Sequence, residues 1–293
     1  MTTPALDART VRPSPIAGTW YPAAPRQLAD TVDALLAQAG RVETQDALVG
    51  LIAPHAGYPY SGQTAACAYR QLAPGQFDTV VLLGPSHREN FGAVAATSKN
   101  FYWTPLGNVA LDQALLETLT QKIRVERVAQ DREHSLEIQL PFLQRTLGAF
   151  TLVPLMLAFP FYLTGASAWE LCAQLAAALA DLARNKRVLL VASSDLSHLE
   201  NYTAVQQFDA RTEELLAGFD IAGLAEYMAR AGECRACGDA AIITLLLAAH
   251  QLGANRVRVF QRTNSGDVTG ERDRADYVVG YLAAGVYRTE QPA

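Results

Sequence analysis

The sequence predicts a single α/β domain with a largely parallel or mixed central sheet and helices on both faces. Two observations carry this. Short, near-continuous apolar runs at 48–53, 78–83 and 187–192 recur between helical patterns, as strands buried on both faces require. No Gly/Ser linker, low-complexity block or internal repeat divides the 293 residues, which suffice for one substantial core.

The elements follow in order. Residues 1–14 contain no apolar stretch, so a disordered tail is expected and a secretory signal is not. The domain is expected over 15–290. Residues 25–39 set Leu28, Val32, Leu35 and Leu36 on one helical face. The run LVGLIA (48–53) reads as a buried strand, 61–72 as a helix, and DTVVLL (78–83) as a second strand. Helices are expected over 112–122 and 135–147. At 150–157 a strand contains Pro154, which predicts an edge position or a bulge. Residues 168–184 form an apolar helix and RVLLVA (187–192) a third buried strand. Helices follow at 203–217, 221–230 and 239–252. Strands near 256–261 and 276–287 close the chain, and Gly280 and Gly285 suggest an antiparallel part there. Asn264-Ser265-Gly266-Asp267 has turn chemistry, with Gly266 suited to a positive φ.

Composition excludes several functions. Net charge is -5 and no Lys/Arg block forms a stripe, so no nucleic-acid partner is expected. No apolar run reaches the roughly 18–20 residues of a membrane span. Four cysteines without an export signal suggest reduced thiols in a cytoplasmic protein.

The polar residues have a pattern. Three apolar strands run directly into Pro54-His55, Ser86-His87 and Ser194-Asp195-Leu196-Ser197-His198. Ligands bind outside the carboxyl ends of strands in open α/β sheets. If these strands are parallel, His55, His87, Asp195 and His198 converge. Cys237 stands just before the helix at 239, where a thiol loses its proton more easily. A redox pair with Cys234, half a zinc knuckle and a buried inert thiol remain alternatives. No second C-x-x-C exists for a two-pair knuckle. Cys67 and Cys172, inside apolar helices, suit the inert role.

His134 and Glu137 are three apart and share a helix face. They suit acid/base work or the orienting of ligands. Equally, they suit an ordinary helix start. His250, in a last helical turn, reads as structural. Trp20 and Tyr21 either wall a pocket or pack the N-terminal arm, and Tyr60 joins them as a pocket residue.

At these residues the chain resembles the Memo family, in its prokaryotic branch called AmmeMemoRadiSam system protein B. The matching stretches are AGTWYP (17–22), IAPHAGYPYSG (52–62), LLGPSH (82–87), EHSLEIQLPFL (133–143), SSDLSH (193–198), CGD (237–239) and NSGDVTG (264–270). They cover nearly the whole chain. The resemblance implies a fold similar to the catalytic subunit of class III extradiol dioxygenases. It also implies that His55, His87 and Cys237 are metal ligands, with Asp195, His198, His134 and Glu137 as catalytic groups around them.

Iron(II) is the expected metal, with copper or zinc as alternatives. The dioxygenases use two histidines and a carboxylate, whereas a thiolate here favours iron, copper(I) or zinc. Fold likeness alone does not license catechol cleavage. The expected function is a redox or dioxygenase-like enzyme acting on a small molecule. A zinc-type hydrolase, or a non-enzymatic protein binding a small molecule or peptide, is the alternative. The resemblance also implies a radical-SAM system partner.

Overall fold

The computed structural model describes residues 8–230, 235–272 and 277–289. The first part of the chain gives β1 (Val11–Arg12), α1 (Pro25–Gln38), β2 (Ala47–Ala53), α2 (Tyr58–Tyr69) and β3 (Thr79–Pro85). Next come β4 (Val94–Thr97), β5 (Phe101–Thr104), β6 (Gly107–Ala110), α3 (Gln113–Thr120), β7 (Glu126–Val128) and α4 (Leu140–Leu147). The middle holds β8 (Thr151–Leu157), α5 (Phe161–Thr164), α6 (Ala166–Ala183), β9 (Val188–Ser193) and β10 (His198–Leu199). The last part holds α7 (Tyr202–Ala217), α8 (Ile221–Met228), α9 (Asp239–Gln251), β11 (Arg256–Asn264), α10 (Ser265–Thr269) and β12 (Val278–Arg288).

Among the described residues nine strands make the main sheet, in the order β10-β12-β2-β9-β3-β8-β4-β7 with β11 on β12. The apolar strands β2, β9, β3 and β8 lie side by side and parallel. β12 runs antiparallel to β2, β11 and β10, so the sheet is mixed. The helix α9, backed by α6, packs on β9, β3 and β2; α2, backed by α1, packs on β2, β11 and β12. The strand cores carry it: β3 is buried along its whole length, and so is β9. No helix of the described residues is long and apolar enough to cross a membrane.

Three expectations need correction. Residues 8–14 are not a loose tail. Val11–Arg12 pair in parallel with Phe101–Tyr102, extending a separate three-stranded sheet of β1, β5 and β6. The partner lies 90 residues away, beyond any local pattern. Residues 1–7 lie outside the described residues.

Pro154 is neither at an edge nor at a bulge, because β8 sits between β3 and β4. The Leu152 carbonyl accepts from Asp112 N, and the Ala158 N–H donates to Ala93 O. Backbone groups of alternate residues face the same side. The Pro154 nitrogen therefore faces that side too, where the ladder touches only Leu152 and 156–158, and no bond is lost.

Gly266 does not take a positive φ; Gly270 does. Residues 265–269 form α10, capped by the Asn264 side chain accepting from Asp267 N. The short strands β4 to β7, of three or four residues each, are too brief to show an alternation in sequence.

Candidate metal centre

The parallel register levels the strand ends. Ala53 of β2 sits opposite Ser193, and Leu83 of β3 opposite Ala192. The turns bearing His55, His87 and Asp195 therefore leave one edge of the sheet. Two glycines let neighbouring segments close on it. A Cβ on Gly238 would lie 2.5 Å from Ser193 O, so only glycine lets α9 begin against β9. A Cβ on Gly84 would lie 2.8 Å from both Leu136 and Ser135, so glycine admits the 133–136 segment beside His87.

On this edge His55, His87 and Cys237 bring one ligand atom each within 4.8 Å of one another. His55 Nε2 lies 3.1 Å from Cys237 Sγ, and its Nδ1 pairs with Ser193 Oγ at 3.0 Å. Ser193 is held in turn by Gln139 Nε2 at 2.7 Å and donates to Ser135 O at 2.6 Å. His87 Nδ1 pairs with Glu133 at 3.1 Å, which leaves Nε2 for the cluster. Each imidazole thus has one nitrogen anchored and the other turned inward, the usual arrangement of a ligating histidine.

Glu133, overlooked in the sequence, is the organiser. Its carboxylate accepts from the backbone N–H of His87, His134 and Ser135. Burial opposes its ionisation, but the hydrogen bond and charge of His87 outweigh this and hold its pKa below the usual range. A clue was present, since it is the first residue of the EHS stretch.

Asp195 is not among the three residues of the cluster. One oxygen accepts from His55 N at 2.7 Å and Ala56 N at 3.2 Å, so it positions the His55 turn. Burial pushes its pKa up to about 7, against those two amides.

His134 stacks on His87 at 4.7 Å between ring centroids, beneath Trp20 at 4.2 Å. His198 lines the same cleft from β10. The His134 and His198 pKa values fall to about 4, chiefly through burial. His55 is pushed well below its ordinary value by burial and by His87 and His134. All three are neutral near pH 7, the form that binds metal.

Glu137 does not orient His134. Its carboxylate accepts from Arg12 Nη1 at 2.6 Å, Tyr21 Oη at 2.6 Å and Ser14 Oγ. Burial pushes its pKa up, against Arg12 and the two hydroxyls. The reason is topological: residues 137–139 form a short 3-10 turn, and the expected helix starts only at Leu140.

Arg12, 2% exposed, also grips Asp131 through two nitrogens and donates to Glu133 O at 2.5 Å. The N-terminal segment is thereby fastened to the loop that carries Glu133 and His134.

Above the cluster opens a cleft of about 740 Å³. Trp20 and Tyr60 line it, together with Tyr277 and Tyr281. Tyr21 does not; it is buried on Glu137 and faces a neighbouring pocket instead. Cys234 lies outside the described residues, so its relation to Cys237 is not described.

The residues fit one metal ion. The donors are two imidazoles and a thiol, a set suited to iron, copper or zinc. Among the described residues the buried Nε2 of His198 has no hydrogen-bond partner, while His134 Nδ1 lies 3.2 Å from Glu133 Oε1. A second grouping of His87, Glu133 and His134 also falls within 4.8 Å. In it the Nδ1 atoms of the two stacked rings both lie against Glu133 Oε1, at 3.1 and 3.2 Å. It is better described as Glu133 holding its neighbours.

Fold and site define a mixed α/β protein with a His/His/Cys cluster where parallel strands end. The chain belongs to the Memo-like family, whose model, described as Memo-like protein, matches residues 12–285. A MEMO1 family protein of Methanopyrus kandleri is 34% identical over 280 residues, covering 92% of this chain and 96% of the relative. One of Methanosarcina mazei is 32% identical over 277 residues, covering 93% and 98%. A solved structure, an uncharacterized protein of Escherichia coli K12, is similar at TM-score 0.46 and 14% identity. It covers 80% of this chain and 99% of that one, a likeness too slight to carry any inference.

Proposed function

We propose that this protein binds one metal ion on His55, His87 and Cys237 and uses it for redox chemistry on a small molecule held in the cleft. The observation that carries the reading is the cluster: donors from three separate segments within 4.8 Å, two of them imidazoles anchored by their other nitrogen. Iron(II) is the favoured metal, with copper next. Such a metal, when bound, supplies one-electron exchange with an oxidant. The chain supplies the rest. Asp195 fixes the His55 turn, and Glu133 fixes His87 and His134. His134 and His198 present neutral imidazoles to a ligand in the cleft. Trp20 and Tyr60 offer aromatic surface to an organic substrate.

The zinc-hydrolase reading is weaker. Glu137, one carboxylate that could serve it as a base, is taken up by Arg12, Ser14 and Tyr21, and one Asp195 oxygen by two backbone amides.

The test is metal analysis of protein purified without oxygen. We expect about one iron or copper per chain, lost in Cys237→Ala and His55→Ala while the fold persists. Zinc alone, with esterase or peptidase activity, would favour hydrolysis. Wild-type protein that takes up none of these metals would overturn the proposal.

A further inference from the structure

A buried row of side chains runs from the end of α2 to the cluster: Tyr69, Gln139, Ser193 and His55, none more than 2% exposed. Its hydrogens have a single arrangement, because the row is flanked by backbone carbonyls that can only accept. One end of the Gln139 amide lies 2.9 Å from Pro54 O. That end is therefore the NH2 group, and the amide oxygen faces Tyr69 Oη at 2.9 Å. Burial pushes the Tyr69 pKa well up, so its hydroxyl keeps a hydrogen to donate there.

The same Gln139 Nε2 lies 2.7 Å from Ser193 Oγ, which must accept from it. Ser135 O, 2.6 Å from that hydroxyl, takes the serine's one hydrogen. Only a lone pair is left to face His55 Nδ1 at 3.0 Å. Nδ1 then carries a hydrogen whatever the charge of the ring. In the neutral ring the bare nitrogen is Nε2, 3.1 Å from Cys237 Sγ. His87 reaches the same state by a shorter route, since the ionised Glu133 carboxylate beside its Nδ1 has lone pairs only.

We propose that Gln139 is a positioning residue that fixes His55, through Ser193, as the Nδ1–H tautomer and so aims a lone pair into the cluster before any ligand arrives. The value of this to a metal rests on the function proposed above; the tautomer itself does not. Glu133 and Gln139 thus set the two imidazoles from one short segment.

The test reads the tautomer in the metal-free full chain, by long-range proton–nitrogen correlation spectra of protein with isotope-labelled histidine. The His55 signals are assigned from their loss in His55→Gln. Wild-type protein should show His55 as Nδ1–H. Gln139→Met keeps the length of the side chain but removes its donor, freeing the Ser193 hydroxyl to turn towards Nδ1. Ser193→Ala removes the acceptor. Each should raise the Nε2–H share of His55 about tenfold, the bias that one hydrogen bond supplies, while His87 stays Nδ1–H. A residue that merely packed the interior would leave the tautomer unmoved. If one variant fails to fold, the other decides. An Nε2–H ring in wild-type protein, or an unchanged tautomer in the folded variants, would overturn the proposal. Because no metal takes part, this outcome is separate from that of the metal analysis.

Discussion

The short segment from Glu133 to Glu137 feeds two polar regions that behave oppositely. On one side Arg12, Asp131, Ser14, Tyr21 and Glu137 form a clasp in which opposite charges meet directly. On the other side His55 and His87 cluster with Cys237, and burial lowers the pKa of His55 and of the adjoining His134. The clasp satisfies itself from within the chain. Beside the cluster the buried Nε2 of His198 has no hydrogen-bond partner among the described residues, and buried polar atoms without partners are costly. Such a cost is tolerated where a ligand completes the site. The difference separates what holds the molecule together from what is open to chemistry.

The sharpest way to break the comparison is Arg12→Met. It strands the Asp131 and Glu137 carboxylates in a buried site, and should cost about 3–5 kcal/mol in urea denaturation of the metal-free protein. A loss below about 1 kcal/mol would mean that the clasp is not the closed region described. Glu133→Gln probes the junction. Metal affinity, read by competition with a chelator, should fall about 10- to 100-fold because His87 loses its anchor. Unchanged affinity would detach Glu133 from the cluster.

The pH dependence sharpens the contrast further. His134 and His198 have pKa values of about 4 when folded and 6.5 ordinarily. Between these values the unfolded chain binds more protons, so stability rises with pH and is lost as pH falls through 6.5 towards 4. His198→Gln should flatten this acid slope in metal-free protein, measured by denaturation at several pH values. An unaltered slope would place the proton uptake elsewhere. The smallest effect is expected from Tyr60→Ala. Tyr60 is 48% exposed, so stability should move by no more than about 0.5 kcal/mol. Binding of an aromatic ligand in the cleft, read by Trp20 fluorescence, should weaken.

Much of the site was legible because its residues sit at strand ends. Apolar runs announced β2, β3 and β9, and the turns after them carried His55, His87 and Asp195. The parts that escaped were the pairings. Arg12 looked like tail chemistry because Asp131 and Glu137 lie 119 and 125 residues away. Glu137 shared a helical spacing with His134, yet a 3-10 turn sent its carboxylate elsewhere. Tyr21 was grouped with Trp20 by adjacency, although neighbouring side chains in a loop diverge.

By itself, then, the sequence determined the class of fold, the run of central strands, the family motifs and the residue types gathered at one edge. These depend on local periodicity and on which residues follow a buried strand. Only the tertiary structure decided which carboxylate serves which partner, and that Asp195 holds the His55 turn through two backbone amides. Those are matters of distance between segments far apart in the chain. A hydrogen bond selects among equivalent side chains only once packing has brought them within about 3 Å.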